Sequence, residues 1–205
     1  MCCASGWSTR SSVEAVASLQ PGLLLDRDGV INEECEYLHD PKDLVVIAGV
    51  AEAIAAINRR RVPVVVVTNQ AGIGRGMYGV DAYHAVNRAI EAILAKAGAQ
   101  GAHIDAWYFC PHLPDADCPC RKPRPGMLLA AAKDLDLDLG RSVLVGDKVS
   151  DLEAARAAGC RTVLVRTGYG RAVEVELGAA QRLSLADLVS DSLLTALPFL
   201  EQTLS

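Results

Sequence analysis

The chain predicts an α/β fold: an open, mostly parallel sheet with helices on both faces. Two observations carry that prediction. Short apolar runs alternate with amphipathic stretches of helical length along the chain, the pattern of parallel strands joined by right-handed crossovers. Those runs are also continuous rather than alternating, as in Leu23-Leu24-Leu25 and Val64-Val65-Val66-Val67, so the strands they form are buried on both faces.

The elements follow in order. Residues 1–20 are small and polar and read as a loosely docked extension, with residues 21–205 forming one domain. Leu23-Leu24-Leu25 is the opening strand and ends in Asp26-Arg27-Asp28-Gly29. Residues 33–46, with His39-Asp40-Pro41, form a loop over the crevice mouth. A helix over 49–61 places Val50, Ala53, Ile54 and Ile57 on one face. Residues 62–67 are the second strand, ending in Thr68-Asn69-Gln70 and followed by a glycine-rich loop, Gly72-Ile73-Gly74-Arg75-Gly76. Asp81 to Ala97 is a helix stopped by Gly98. Residues 104–109 form a third strand, 126–135 a helix, 143–145 a fourth strand ending in Gly146-Asp147, and 151–158 a helix. Residues 162–165 close the series, and 183–200 read as a short strand and a helix.

Composition narrows the function classes. The chain has 205 residues, is 51% hydrophobic and carries a net charge of -5. That balance argues against a nucleic-acid or membrane partner, and Arg59-Arg60-Arg61 complements a helix terminus. No apolar run has transmembrane length and no signal peptide opens the sequence, so a cytoplasmic protein with reduced thiols is expected. Cys2, Cys3, Cys35 and Cys160 are scattered and read as unpaired; His39, His84 and His103 lack partners and read as packing residues.

In open α/β sheets the ligand crevice lies beyond the carboxyl ends of the strands. Brought together there, Asp26, Asp28 and Asp147 make an oxygen-rich pocket suited to Mg²⁺. Asp151, four residues after Asp147, serves as a further ligand or supports one from behind. Thr68 and Asn69 offer a hydroxyl, an amide and backbone N–H groups to a phosphate, and Arg121 and Lys122 add positive charge. An anionic substrate follows, with one carboxylate attacking phosphorus while the other protonates the departing oxygen. The glycine loop has the wrong spacing for dinucleotide binding, and no P-loop lysine pattern occurs.

A second constellation runs from Cys110 to Cys120. Cys110, His112, Cys118 and Cys120 supply three thiolates and one imidazole, a closed tetrahedral set for structural Zn²⁺. This loop delivers Arg121 and Lys122 to the crevice.

Asp26-x-Asp28-Gly29, Thr68, Lys122 and Gly146-Asp147-x-x-x-Asp151 stand in the order of the haloacid dehalogenase (HAD) superfamily of aspartate-nucleophile phosphatases, which the chain resembles over residues 23–170. Three longer stretches are similar to its heptose-bisphosphate and histidinol-phosphate phosphatase branches: residues 26–32, residues 68–76, and Cys120-Arg121-Lys122-Pro123-Arg124-Pro125-Gly126-Met127. The resemblance implies a Rossmann-like sheet with a zinc loop in place of a cap domain. It implies Asp26 as nucleophile, Asp28 as general acid and base, and Thr68 and Lys122 as stabilisers of the phosphoryl group. Mg²⁺ would be held by Asp26, the Asp28 backbone carbonyl and Asp147. Glu34, Cys35, Glu36, Tyr37, Asn69, Gln70, Ala71, Arg121 and Lys148 would line the substrate pocket. The partner is then a small phosphorylated metabolite, and a monomer is expected. The short spacing between His112 and Cys118 points to histidinol phosphate; Val30 and Lys148 point to a sugar bisphosphate.

Overall fold

A computed structural model describes residues 19–96 and 101–205; the expected N-terminal extension and the glycine stop at Gly98 lie largely outside these residues. The elements are β1 (Leu23–Leu25), α1 (Val50–Arg59), β2 (Val64–Asn69), α2 (Ala71–Gly74), α3 (Val80–Lys96), β3 (Ala106–Cys110), α4 (Gly126–Leu135), β4 (Val143–Gly146), α5 (Val149–Ala158), β5 (Arg161–Val165), α6 (Gly170–Leu185), β6 (Leu188–Ser190) and α7 (Leu197–Thr203). The six strands are parallel, in the order β3-β2-β1-β4-β5-β6.

The apolar runs are continuous because each face of the sheet has its own core. Leu23, Leu25, Val64, Val66, Val143 and Val145 pack with Val50, Ile54 and Ile57 of α1, Val86, Ile90 and Leu94 of α3, and Leu200 of α7. Leu24, Val65, Val67 and Leu144 point the other way, onto Met127, Leu128 and Ala131 of α4 and Ala154 and Ala155 of α5. The strand period of two thus divides one apolar run between two layers.

The order of the strands also fixes the crevice. From β1 the chain winds outward through β2 and β3, then returns to the other side of β1 with β4. The direction of winding reverses at β1, and the ends of β1, β2 and β4 open into the gap this leaves. Those are the strand ends that carry Asp26, Thr68 and Asp147.

Three expectations need correction. Residues 72–76 are not simply a loop: Ala71–Gly74 forms one helical turn, closed by Arg75 N–H donating to Ala71 O. The series does not end at residue 165. A helix over Gly170–Leu185 follows, burying only Gly170, Val173 and Leu177 and carrying a break at Gly178 (φ 60°, ψ 173°); so sparse an apolar stripe gives little periodic signal. Helix α5 begins at Val149, so Asp151 lies in its first turn. At the start of the sheet Gln20 is tied in, since Gln20 N–H donates to Asp136 O and Asp138 N–H to Gln20 O.

Leu24 is fully buried in the central strand. Leu24→Ala is expected to lower unfolding stability by about 2–5 kcal/mol, read as a lower denaturant midpoint with an unchanged slope.

Candidate active site

Asp26 is the first residue past β1, held by its N–H donating to Val145 O at 3.0 Å. Its carboxylate is almost wholly buried. Lys122 Nζ lies 3.0 Å from Asp26 Oδ1 and 2.6 Å from Asp151 Oδ1, and also donates to Val67 O at 2.7 Å. Burial alone would strip the lysine of its proton, but Asp151 and Asp26 hold its pKa above the ordinary lysine value. Asn69 positions the lysine backbone from both sides: its Nδ2 donates to Lys122 O at 3.0 Å, and Lys122 N–H donates to its Oδ1 at 3.1 Å.

Carboxylate oxygens of Asp26, Asp147 and Asp151 come within 4.8 Å of one another. Asp147 Oδ2 accepts from Tyr169 N–H at 2.8 Å, while buried Oδ1 has no partner. Burial, and then the charge of Asp26, push Asp147 up to about 8; burial also raises Asp26. Three buried carboxylates facing one ammonium leave an excess of two negative charges, and with the orphaned Oδ1 this donor set fits a hard divalent cation. The backbone leaves room for the Asp147 carboxylate: a Cβ at Gly29 (φ +85°) or Gly168 (φ +54°) would clash with its Oδ2.

Asp28 departs from expectation. The sequence grouped its carboxylate with the metal ligands; the carboxylate that lies with those of Asp26 and Asp147 is instead that of Asp151. The Asp28 carboxylate turns to Arg27: Oδ1 accepts from Arg27 Nε (3.1 Å), Arg27 Nη2 (3.0 Å) and Asn32 Nδ2 (3.0 Å), and Oδ2 from Arg27 Nη2 (3.0 Å) and Gln70 Nε2 (2.9 Å). Burial pushes its pKa up, but Arg27, Asn32 and Gln70 together hold it below the usual carboxylate value. The two aspartates are thus driven apart, the pattern by which neighbouring carboxyls take different jobs.

In the cysteine loop, Cys110 Sγ lies 3.4 Å from His112 Nδ1, 3.5 Å from Cys118 Sγ and 3.4 Å from Cys120 Sγ. Cys120 Sγ is 3.4 Å from His112 Nδ1 and 3.5 Å from Cys118 Sγ. A zinc tetrahedron with metal–sulfur bonds of about 2.3 Å has edges of about 3.8 Å. The four donors fit Zn²⁺ and leave no open position.

A cavity of about 480 Å³ is lined among others by Asp28, Glu34, Glu36, Tyr37, Asn69, Gln70, Ala71, Arg121, Lys122 and Lys148. Cys35 was expected there and is not among the lining residues; its side chain is exposed, because the loop presents its neighbours inward. Lys148 Nζ pairs with Glu34 Oε2 at 2.8 Å and sits 4.8 Å from the Tyr169 ring centre. Thr68 is buried, its Oγ1 accepting from Gln70 Nε2 at 2.9 Å. Gln70 is less a pocket wall than a tie between Thr68 and Asp28, and its Oε1 accepts from Tyr78 OH at 2.7 Å. Arg75, Tyr78, Ser150 and Tyr169 also line the cavity and were not foreseen. Arg27 was missed too; an arginine between two aspartates at the tip of a buried strand was its signal.

The protein matches relatives of known class. The family described as "HAD-hyrolase-like" matches residues 119–196. D-glycero-D-manno-heptose-1,7-bisphosphate 7-phosphatase of Thermosynechococcus vestitus is 41% identical over 192 residues, covering 88% of this chain and 95% of the relative. The chain belongs to the heptose-bisphosphate phosphatase family of the HAD superfamily. The Vibrio cholerae D-glycero-beta-D-manno-heptose-1,7-bisphosphate 7-phosphatase is 43% identical over 157 residues, 73% of this chain and 83% of that one. A solved D,D-heptose 1,7-bisphosphate phosphatase from Bordetella bronchiseptica, complexed with magnesium and phosphate, superposes with a TM-score of 0.80 at 36% identity, covering 88% of this chain and 98% of that one. The relatives are named phosphatases, and this chain is a phosphatase of the same superfamily.

Two tests follow. Because the folded state holds a proton on Asp147 more tightly than the unfolded chain, stability without divalent cation should fall as pH rises from about 4, the ordinary value, to about 8. Melting curves should show this fall, and Mg²⁺ added at the upper end should reverse it. Metal analysis of the purified protein should find about one zinc per chain. Cys118→Ser should lower both the melting temperature and kcat/KM, since Arg121 and Lys122 directly follow Cys120.

Proposed function

We propose that this phosphatase releases the 7-phosphate of D-glycero-D-manno-heptose 1,7-bisphosphate through an aspartyl-phosphate on Asp26, with Mg²⁺ as cofactor. The observation that carries the route is the pairing of a buried Asp26 with the Lys122 ammonium at 3.0 Å, with Asp28 two residues on lining the cavity. The substrate reading rests on the names of the relatives and on a cavity that offers Arg121 and Lys148 to anionic groups and Glu34 and Glu36 to sugar hydroxyls.

Asp26 attacks phosphorus and the bond to the leaving oxygen breaks, its electron pair staying on that oxygen. Asp28 supplies the proton that neutralises it. Although Arg27 favours the charged carboxylate, the negative charge of a bound phosphoryl group opposes this and helps load the proton. In the second half Asp28 takes a proton from the water that attacks the aspartyl-phosphate, which regenerates Asp26. Lys122 and the Thr68 hydroxyl face the transferring group. Because Gln70 Nε2 donates to Thr68 Oγ1, the hydroxyl hydrogen is left for a phosphoryl oxygen. Mg²⁺ would be held by Asp26, the Asp28 backbone carbonyl and Asp147, with Asp151 behind them, and would offset the repulsion between these carboxylates and an incoming phosphate.

We read residues 21–205 as one catalytic domain with the zinc loop at 110–120, working in the cytoplasm. The free thiol of buried Cys160, and a cysteine loop suited to binding metal, fit a reducing compartment. Among the described residues no helix is long and apolar enough to cross a membrane.

Asp26→Asn should cost on the order of 10⁴-fold or more in kcat with the circular dichroism spectrum retained; persisting turnover would overturn the aspartyl-phosphate route. On the unaltered enzyme, kcat/KM for heptose 1,7-bisphosphate should exceed that for histidinol phosphate, and the reverse order would reassign the substrate.

A further inference from the structure

Arg27 is fully buried, and the reaction above gives it no contact with substrate. Its guanidinium lies 5.5 Å from the centre of the Tyr83 ring. Nη1 donates to Asn87 Oδ1 at 3.4 Å, and Nη2 to Gln70 Oε1 at 3.2 Å. Nε and Nη2 both reach Asp28. Burying an arginine–carboxylate pair is seldom worthwhile for stability alone, since desolvation offsets the attraction and an apolar pair of the same volume serves as well. What the fork does provide is direction: a planar guanidinium bound through two nitrogens allows its partner one orientation.

We propose that Arg27 is a positioning residue whose buried guanidinium, together with the Gln70 amide, holds the Asp28 carboxylate in the orientation from which it passes its proton to the leaving oxygen. The backbone N–H of Arg27 donates to Asp26 Oδ1 at 2.7 Å, but its guanidinium is directed to Asp28, Gln70 and Asn87 and not to the carboxylates of Asp26, Asp147 or Asp151. It acts through Asp28. The inference rests on the reading of Asp28 as proton carrier, and gives the network of Tyr78, Gln70, Arg27 and Asn87 a common purpose: each link fixes the next, and the chain ends on one carboxylate. Side chains that carry a catalytic group need such locking, because small displacements cost large factors in rate.

A leaving group that departs without a proton does not need Asp28 as an acid. The test therefore compares kcat/KM for a sugar or alkyl phosphate, whose alkoxide must be protonated, with kcat/KM for 2,4-dinitrophenyl phosphate, whose phenolate need not be. kcat/KM is the quantity to read, because it covers the steps up to formation of the aspartyl-phosphate and leaves out its hydrolysis. Arg27→Met keeps the apolar stem and removes the fork. It should lower the alkyl-to-aryl ratio by about 100-fold, within the range that general acid catalysis contributes. Arg27→Lys keeps the buried charge, and so the fold, but not the two-nitrogen fork; it should lower the ratio by about 10-fold.

An equal loss on both substrates in the Lys variant, or no loss, would show that Arg27 only supports the fold and would overturn the proposal. Asp28→Asn separates this from failure of the parent reading. If that variant leaves the ratio unchanged, Asp28 is not the acid. If it collapses the ratio while Arg27→Lys does not, Asp28 is the acid and Arg27 does not position it.

Discussion

The Lys122 ammonium stands between the carboxylates of Asp26 and Asp151, 3.0 and 2.6 Å away and almost fully buried. Every other feature of the site depends on this triangle. A buried charge is tolerated only when it is paired and hydrogen-bonded, and removing one partner of such a pair typically costs about 3–5 kcal/mol. Lys122 comes from a loop far along the chain, Asp26 from the end of β1 and Asp151 from the first turn of α5. The pairing holds together three parts of the chain that meet only because β1 lies between β2 and β4.

Two devices bring the lysine to that point. The cysteine–histidine cluster closes the loop immediately before it, and Asn69 grips its backbone N–H and C=O. A short loop closed by a cluster that fits zinc thus leads directly into the lysine. The side chains lining the cavity alternate in charge, with Lys148 paired to Glu34, which suits a substrate that is anionic at its phosphates and hydroxylated between them.

The two aspartates at the tip of β1 separate by environment. Asp26 sits among other carboxylates, where burial raises its pKa; Asp28, one residue away from being its neighbour, is turned into a cage of donors that lowers it. The separation begins at Gly29, whose positive φ turns the chain beside Asp147, and is completed by Arg27, the residue between them. The same turn is closed by Ile31 N–H donating to Arg27 O and Gly29 N–H to Asn32 O.

Much of this was legible in the residues. Continuous apolar runs ending in Asp26, Thr68 and Asp147 imply a doubly covered parallel sheet with reactive groups at one edge, because strands with polar residues only at their tips have few other uses. The spacing of Cys110, His112, Cys118 and Cys120 implies a closed zinc site, because ligands so near in sequence are already near in space. Which way a side chain points is a different matter. That Asp151 joins the carboxylate cluster while the Asp28 side chain leaves it, that Cys35 faces outward between lining neighbours, and that Gln70 ties Thr68 to Asp28 depend on contacts between residues tens of positions apart. Arg27 and the helix over Gly170–Leu185 escaped for a related reason: the partners that bury the one, and the sheet face that supports the other, exist only once the chain has folded.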